Sequence, residues 1–348
     1  MDAQKFTREV MSRFARMVLF TVLCSVAVNL VATLANATTL LIVTDQARAR
    51  KAREVAALFR VTKPYSLMSG LKIKVIQTSS AKLGCSKAAP SAVDTFATTV
   101  QLADSDRLLQ QSESRERRSR PHSEFMNALP PSCGGDNGGV PTRLISCETP
   151  TTKAFIGALK KSEKASYVEI VLTDSRYGGS GGEYPVITTG SPAAMAIHEL
   201  MHRLGFADEY GYYNACEADI YCPAGANDDI ISPSGYGALP TTAFNIAAFQ
   251  SLPSYPSSAA VLSSHANLIP WATDIDPQTA LTTNGKLGSP RKVATGIYRA
   301  IVCDLATVKM ETWQSTSSST IMRTLATTYI PEAYWHVIAK SLGTTISK

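Results

Sequence analysis

Several stretches of the chain place their apolar residues in patterns that name a conformation. Residues 39–45, "TLLIVTD", form a short continuous apolar run of strand type. In the next stretch, "QARARKAREVAALFR" (46–60), Ala, Arg, Val and Leu recur at helical spacing. "LKIKVIQT" (71–78) alternates apolar and polar side chains, as a half-buried strand does. Strand, helix and strand in that order predict an α/β layer. "VDTFATTVQLADSDRLLQQ" (93–111) and "TKAFIGALKKSEKA" (152–165) read as helices, and "SYVEIVLTDS" (166–175) as a strand. "RYGGSGGEYPVITTG" (176–190) is a glycine-rich turn entering another strand. "SPAAMAIHELMHRLG" (191–205) carries helix signals throughout, with Ser191 to cap it, Pro192 at the first helical position and Gly205 to end it.

Two regions break the pattern. Between 112 and 150, "SESRERRSRPHSEF" has no apolar face and "PPSCGGDNGGVPT" is rich in turn residues, which predicts an inserted surface loop. At the N-terminus, basic residues up to Arg16 precede the apolar run "MVLFTVLCSVAVNLVATL" and then Ala35-Asn36-Ala37, a small-x-small cleavage pattern. Residues 1–37 are therefore expected to be an export signal, and an uncleaved membrane anchor is the alternative for a run of that length. Residues 38–348 are expected to form a single domain, with subdomains 38–205 and 206–348. Past the signal no segment is long and apolar enough to predict stable membrane association.

Composition narrows the class. A chain of 348 residues with 45% hydrophobic and 18% charged side chains can bury a sizeable core. The formal charge of +6 falls to +4 without the first 37 residues, which hold four basic and two acidic side chains. No stripe of Lys and Arg interleaved with aromatics remains, which argues against nucleic-acid binding. Seven cysteines leave six after the signal: Cys85, Cys133, Cys147, Cys216, Cys222 and Cys303. In an exported chain that parity predicts up to three disulfides; Cys133–Cys147 and Cys216–Cys222, which close the shortest loops, are the first expectation among 15 pairings.

The chemistry sits in "AIHELMHRLGFADEYGYY" (196–213). Residues four apart on a helix lie about 40° apart around its axis, so His198 and His202 point the same way and can reach one metal. Glu199 lies beside them, placed to take a proton from a water that the metal polarises. A catalytic zinc usually has three protein ligands. Gly205 can adopt positive φ and turn the chain back, which brings Asp208 forward as the third. The bland alternative is two histidines one turn apart that face a core or solvent. The acidic residues Glu217, Asp219, Asn227, Asp228 and Asp229 match no calcium-loop spacing and read as solvated loop.

From His198 to Asp208 the chain resembles the metzincin clan of zinc endopeptidases, in which the third ligand is usually histidine and in some members aspartate. "HELMHRLGF" is also similar to the astacin pattern, from which Asp208 departs. A broader resemblance is to the bacterial IgA-metallopeptidase family. It rests on "LLIVTDQARARKAREVAALF", "YGGSGG" (177–182), Asp208-Glu209-Tyr210, "NLIPWATDI", "GIYR" (296–299) and Met322-Arg323, in the family's order. The stretches 112–150 and 299–322 are longer than the family core, and the family's spacing from the second histidine to the aspartate allows one more residue. "PPSCGG" around Cys133 faintly resembles the Pro-x-Cys-Gly switch of some zinc proteases, although a disulfide loop also explains it.

The resemblance implies an α/β (α+β) fold: a twisted mixed sheet, an active-site helix, and a C-terminal subdomain with a Met-turn at Met322. It implies Zn²⁺ on His198, His202 and Asp208, Glu199 as general base and acid, and a protein or peptide substrate for an exported enzyme, periplasmic or secreted. Astacins stabilise the oxyanion with a tyrosine two residues past the methionine, where this chain has Thr324; Tyr210, Tyr298 and Tyr329 are the alternatives. Trp271, Gly181 and Gly182 are candidates to shape the cleft. Two rival readings are a catalytically silent metal-binding protein of the same fold and a metal hydrolase acting on something other than peptide.

Overall fold

Strand β1 (Thr39–Thr44) is buried at every position, which a strand achieves only when both faces of its sheet are covered. Helix α1 (Arg50–Val61) follows, burying Ala52, Val55, Ala56 and Phe59 on one face. After a 3₁₀ turn at Tyr65–Leu67 come β2 (Met68–Ser69), β3 (Lys72–Gln77) and a short helix α2 (Ser80–Leu83). Helix α3 (Pro150–Glu163) leads to β4 (Tyr167–Leu172), β5 (Gly179–Ser180), β6 (Val186–Thr188) and helix α4 (Ala194–Arg203). Then follow β7 (Ala247–Phe249), α5 (Ser258–His265), β8 (Tyr298–Ala300), β9 (Glu311–Gln314), α6 (Glu332–Ser341) and β10 (Thr345–Ile346).

The computed structural model describes residues 38–46, 49–85, 147, 149–211, 222, 243–249, 258–275, 295–306 and 311–347. The expected export signal, the helix expected at 93–111, nearly all of the 112–150 loop with Cys133, and the acidic cluster at 217–229 lie outside them. Among the described residues no helix is long and apolar enough to cross a membrane.

The architecture is mixed α/β around a mostly parallel central sheet. Its strand order is β3-β1-β4-β6-β5, and only β5 runs antiparallel to its neighbour. Along β1, Leu40 and Ile42 face the core that holds α1 and α4, while Leu41 and Val43 face the one under α3. Edge strand β3 alternates exposed and half-buried residues, as its pattern predicts. An antiparallel sheet, β7-β9-β8, is built from the C-terminal part of the chain. The main core joins both parts: Trp271, Trp313, Met322 and Tyr334 belong to the same cluster as Leu40, Met195 and Leu200.

The disulfides differ from the short-loop expectation. Cys85 pairs with Cys147 and Cys222 with Cys303, not Cys133 with Cys147 or Cys216 with Cys222. Loop closure disfavours a longer loop by only about 0.6 kcal/mol per doubling of its length, so position decides. The hydroxyl of Thr152 donates to Leu83 O and that of Thr149 to Gly84 O, which locks the start of α3 to the end of α2. This contact sets the Cα atoms of Cys85 and Cys147 4.2 Å apart.

The start of α4 also departs from expectation. Ser191 does not cap it: its hydroxyl donates to Gly178 O (2.6 Å) and accepts the Gly178 N–H (2.9 Å). The helix starts at Ala194, after Pro192, with no side-chain cap. Ser191 instead pins the glycine-rich turn to the head of the helix. Gly179 follows in that turn, where a Cβ would come within 2.4 Å of Met195 Sδ, so the missing side chain leaves room for Met195 between β5 and α4.

Candidate metal centre

Helix α4 is buried almost all the way round, from Ala194 to His202. Three of its side chains, His198, Glu199 and His202, are polar yet no more than 2% exposed. Buried polar groups need partners, and the histidines find them in backbone carbonyls. Nδ1 of His198 lies 2.9 Å from Ile321 O, and Nδ1 of His202 lies 2.9 Å from Phe206 O. A carbonyl only accepts, so each Nδ1 carries the proton and each Nε2 of the neutral ring presents a lone pair.

Those lone pairs converge. The two Nε2 atoms are 3.0 Å apart. Asp208 Oδ1 lies 3.4 Å from Nε2 of His198 and 3.2 Å from Nε2 of His202. A tetrahedral ion with bonds of 2.0–2.1 Å has ligand atoms about 3.3 Å apart, so these three edges fit one ion. Asp208 is 2% exposed, and three electron-rich atoms this close, away from water, are mutually compatible around a cation. Among the described residues this is the one group of three or more His, Cys, Asp or Glu side chains close enough to hold a metal ion.

The turn that brings Asp208 forward is a glycine-ended helix stop. Gly205 has φ +95°; its N–H donates to His202 O, and the Phe206 N–H to Met201 O, a Schellman arrangement that closes the last turn. Phe206 O is thereby delivered to His202. Glu199, next to His198 on the helix, is not one of the three converging residues, and its buried Oε2 has no hydrogen-bond partner in the structure.

Met322 is fully buried in a turn of residues 321–323. That turn touches helix α4 through Ile321 O, and the loop after the helix through the Glu209 N–H, which donates to Met322 O (2.9 Å). Glu209 is fully buried: Thr320 donates to its Oε2, and Asn245 (3.0 Å) and Tyr334 (3.2 Å) to its Oε1. Burial raises its carboxyl, opposed by those three bonds and the charge of Arg323. Asn245 and Thr320 are residues the sequence patterns do not pick out, since they meet the site from 36 and 111 positions away from Glu209.

The candidate tyrosines take different places. Tyr210 is fully buried in a small cluster with Ala207, Ile246 and Val302 beside the Cys222–Cys303 bridge. Tyr298 is buried on β8, and burial raises its hydroxyl pKa. Tyr329 is half-buried; burial raises its pKa too, and its carbonyl accepts the Ile321 N–H (2.9 Å). Both hydroxyls therefore stay protonated donors. Trp271 is 1% exposed and donates from Nε1 to Gly296 O (2.8 Å); it is a core residue that ties the tryptophan segment to the 296–299 segment rather than a cleft wall. Gly181 is buried and Gly182 has φ +116° in the turn before β6.

No family model matches the chain, and no curated protein matches it in sequence. Fold and site together define a mixed α/β protein with a buried His-His-Asp group that could hold a metal ion.

Proposed function

We propose that the chain is an exported zinc-dependent endopeptidase of the metzincin type. The observation that carries the reading is the convergence of His198 Nε2, His202 Nε2 and Asp208 Oδ1 within 3.4 Å of one another, with both Nδ1 atoms turned away to carbonyls. Two imidazoles and one carboxylate are a donor set suited to zinc. Bound there, zinc supplies a Lewis acid that polarises the scissile carbonyl and lowers the pKa of water to about 7. Glu199 supplies the base: its carboxylate takes the proton of the attacking water and passes it to the leaving amine. Strand β5 ends the central sheet and packs on α4 through Gly179 and Met195, three residues before His198, and is the edge to which an extended peptide would add by main-chain hydrogen bonds. Tyr210, Tyr298 and Tyr329 remain the candidate oxyanion donors, and Tyr298 and Tyr329 keep protonated hydroxyls for that role. The two disulfides fit an oxidising compartment, and with the expected signal at 1–37 they support export.

The test pairs zinc content with cleavage of a generic protein such as casein by the chain and by Glu199→Ala. One zinc per chain, with cleavage that falls by about 10²-fold or more in the variant, supports the proposal. Stoichiometric zinc without Glu199-dependent cleavage favours a metal-binding protein of the same fold, or a hydrolase of other substrates. A chain that binds no zinc overturns the proposal.

A further inference from the structure

Two of the three ligand atoms ride on a helix, whose hydrogen-bond ladder sets their positions. Asp208 does not: residues 206–209 have no regular secondary structure. An aspartate oxygen is also one bond closer to the backbone than a histidine Nε2, so its side chain has less reach to correct a displaced backbone. Something outside the helix has to hold this segment.

Asn245 does so with every polar atom of its side chain. Its Oδ1 accepts the Ala207 N–H (2.8 Å), and its Nδ2 donates to Ala207 O (2.8 Å) and to Glu209 Oε1 (3.0 Å). One amide thus grips both neighbours of Asp208, pairing with Ala207 as a strand would. Glu209 continues the grip. Its carboxylate accepts from Thr320 and Tyr334, its N–H donates to Met322 O, and its carbonyl accepts from Arg323 (3.3 Å). Asn245, Ala207 and Glu209 are all wholly buried, so water does not compete for these bonds.

We infer that Asn245 and Glu209 are positioning residues for the third metal ligand, a clamp that fixes the carboxylate of Asp208 against the two histidines and thereby sets metal affinity. The inference rests on the reading of His198, His202 and Asp208 as ligands and adds residues that contact no metal. Asn245 is the decisive member, because nothing else in the described structure bonds both peptide groups of Ala207 and reaches Glu209.

The test measures metal binding rather than turnover. Zinc affinity is read by competition with a chromophoric chelator for the full chain, Asn245→Ala, Asn245→Asp and Glu209→Gln, with Co²⁺ absorption spectra of each as a report on ligand geometry. Melting of the metal-free proteins checks folding. Groups that orient metal ligands typically change affinity by about 10–100-fold, and that loss is expected for Asn245→Ala. Asn245→Asp should lose as much, since it keeps the acceptor but sacrifices both donors. Altered Co²⁺ bands should accompany the loss, a change that a purely structural role would not produce. If Asn245→Ala does not fold, Glu209→Gln, which keeps shape and volume, carries the test with a several-fold loss expected. Folded variants that bind zinc within twofold of the unsubstituted chain, with unchanged Co²⁺ spectra, overturn the clamp. Failure of the unsubstituted chain to bind either metal overturns the ligand reading itself.

Discussion

The carbonyl oxygen of Ile321 lies 2.9 Å from Nδ1 of His198, across 123 positions of sequence. The contact orients the ring so that Nε2 faces Asp208, and it joins helix α4 to the turn that carries Met322. His198 is therefore also a seam between the two parts of the chain.

Metal removal should accordingly loosen the whole molecule. Any ligand that binds only the folded state stabilises it, by about 2.7 kcal/mol at a hundred times its Kd. Stripping the protein with a chelator should lower Tm by several degrees, and adding zinc back should restore it. An unchanged melting curve after complete removal would show that the His-His-Asp group contributes nothing to folding.

Gly205 is the residue on which the reversal toward Asp208 turns. Its φ of +95° lies where side chains are strained, and an added Cβ would come within 2.7 Å of the Phe244 ring. Gly205→Ala is expected to cost about 1–3 kcal/mol and to weaken zinc binding, because Phe206 O and Asp208 follow directly. Denaturant melts and a zinc titration check both effects; a variant as stable as the parent counts against the turn.

Glu169 predicts an unusual pH dependence. It is a fully buried carboxyl on β4, in register with Ile42, and neither oxygen has a hydrogen-bond partner in the structure. Burial, reinforced by the nearby charge of Glu199, holds its pKa well above the ordinary carboxylate range. A folded pKa above the unfolded one means that stability is full below the unfolded value and is lost as pH rises from there through the folded value. Glu169→Gln removes that loss. Its stability relative to the parent should climb as pH rises above the ordinary carboxylate range, by up to about 1.4 kcal/mol per pH unit. Parallel stability–pH curves for the two proteins would show that Glu169 does not titrate in this way.

The disulfide pattern can be read chemically. Digestion of the non-reduced protein should yield a Cys85–Cys147 linked peptide and a Cys222–Cys303 linked peptide. Replacing Cys222 and Cys303 together by serine should cost about 2–4 kcal/mol. Recovery of Cys133–Cys147 or Cys216–Cys222 peptides would reverse the assignment made here.

What the chain announces locally is what short-range physics controls. The apolar run at 39–45 becomes β1, the alternation at 71–78 becomes edge strand β3, and the four-residue spacing of His198 and His202 is a helical repeat that survives any packing. Gly205 ends the helix because no other residue is at ease with that φ. The approach of Asp208 to the two histidines was legible for the same reason, since the turn and the short return to Asp208 lie within one contiguous stretch.

Everything that required two distant segments to meet was decided by the tertiary structure alone. Cys85 found Cys147 because α2 and α3 abut, not because the loop between them is short. Ser191 gave its hydroxyl to Gly178 rather than to the helix behind it, and Trp271 went into the core. Ile321 and Asn245 reach the site from far along the chain, carrying no pattern of their own, because a carbonyl or an amide becomes specific only through what folding sets opposite it. Sequence alone therefore determined which residues can share one face and one turn; packing determined what holds them still.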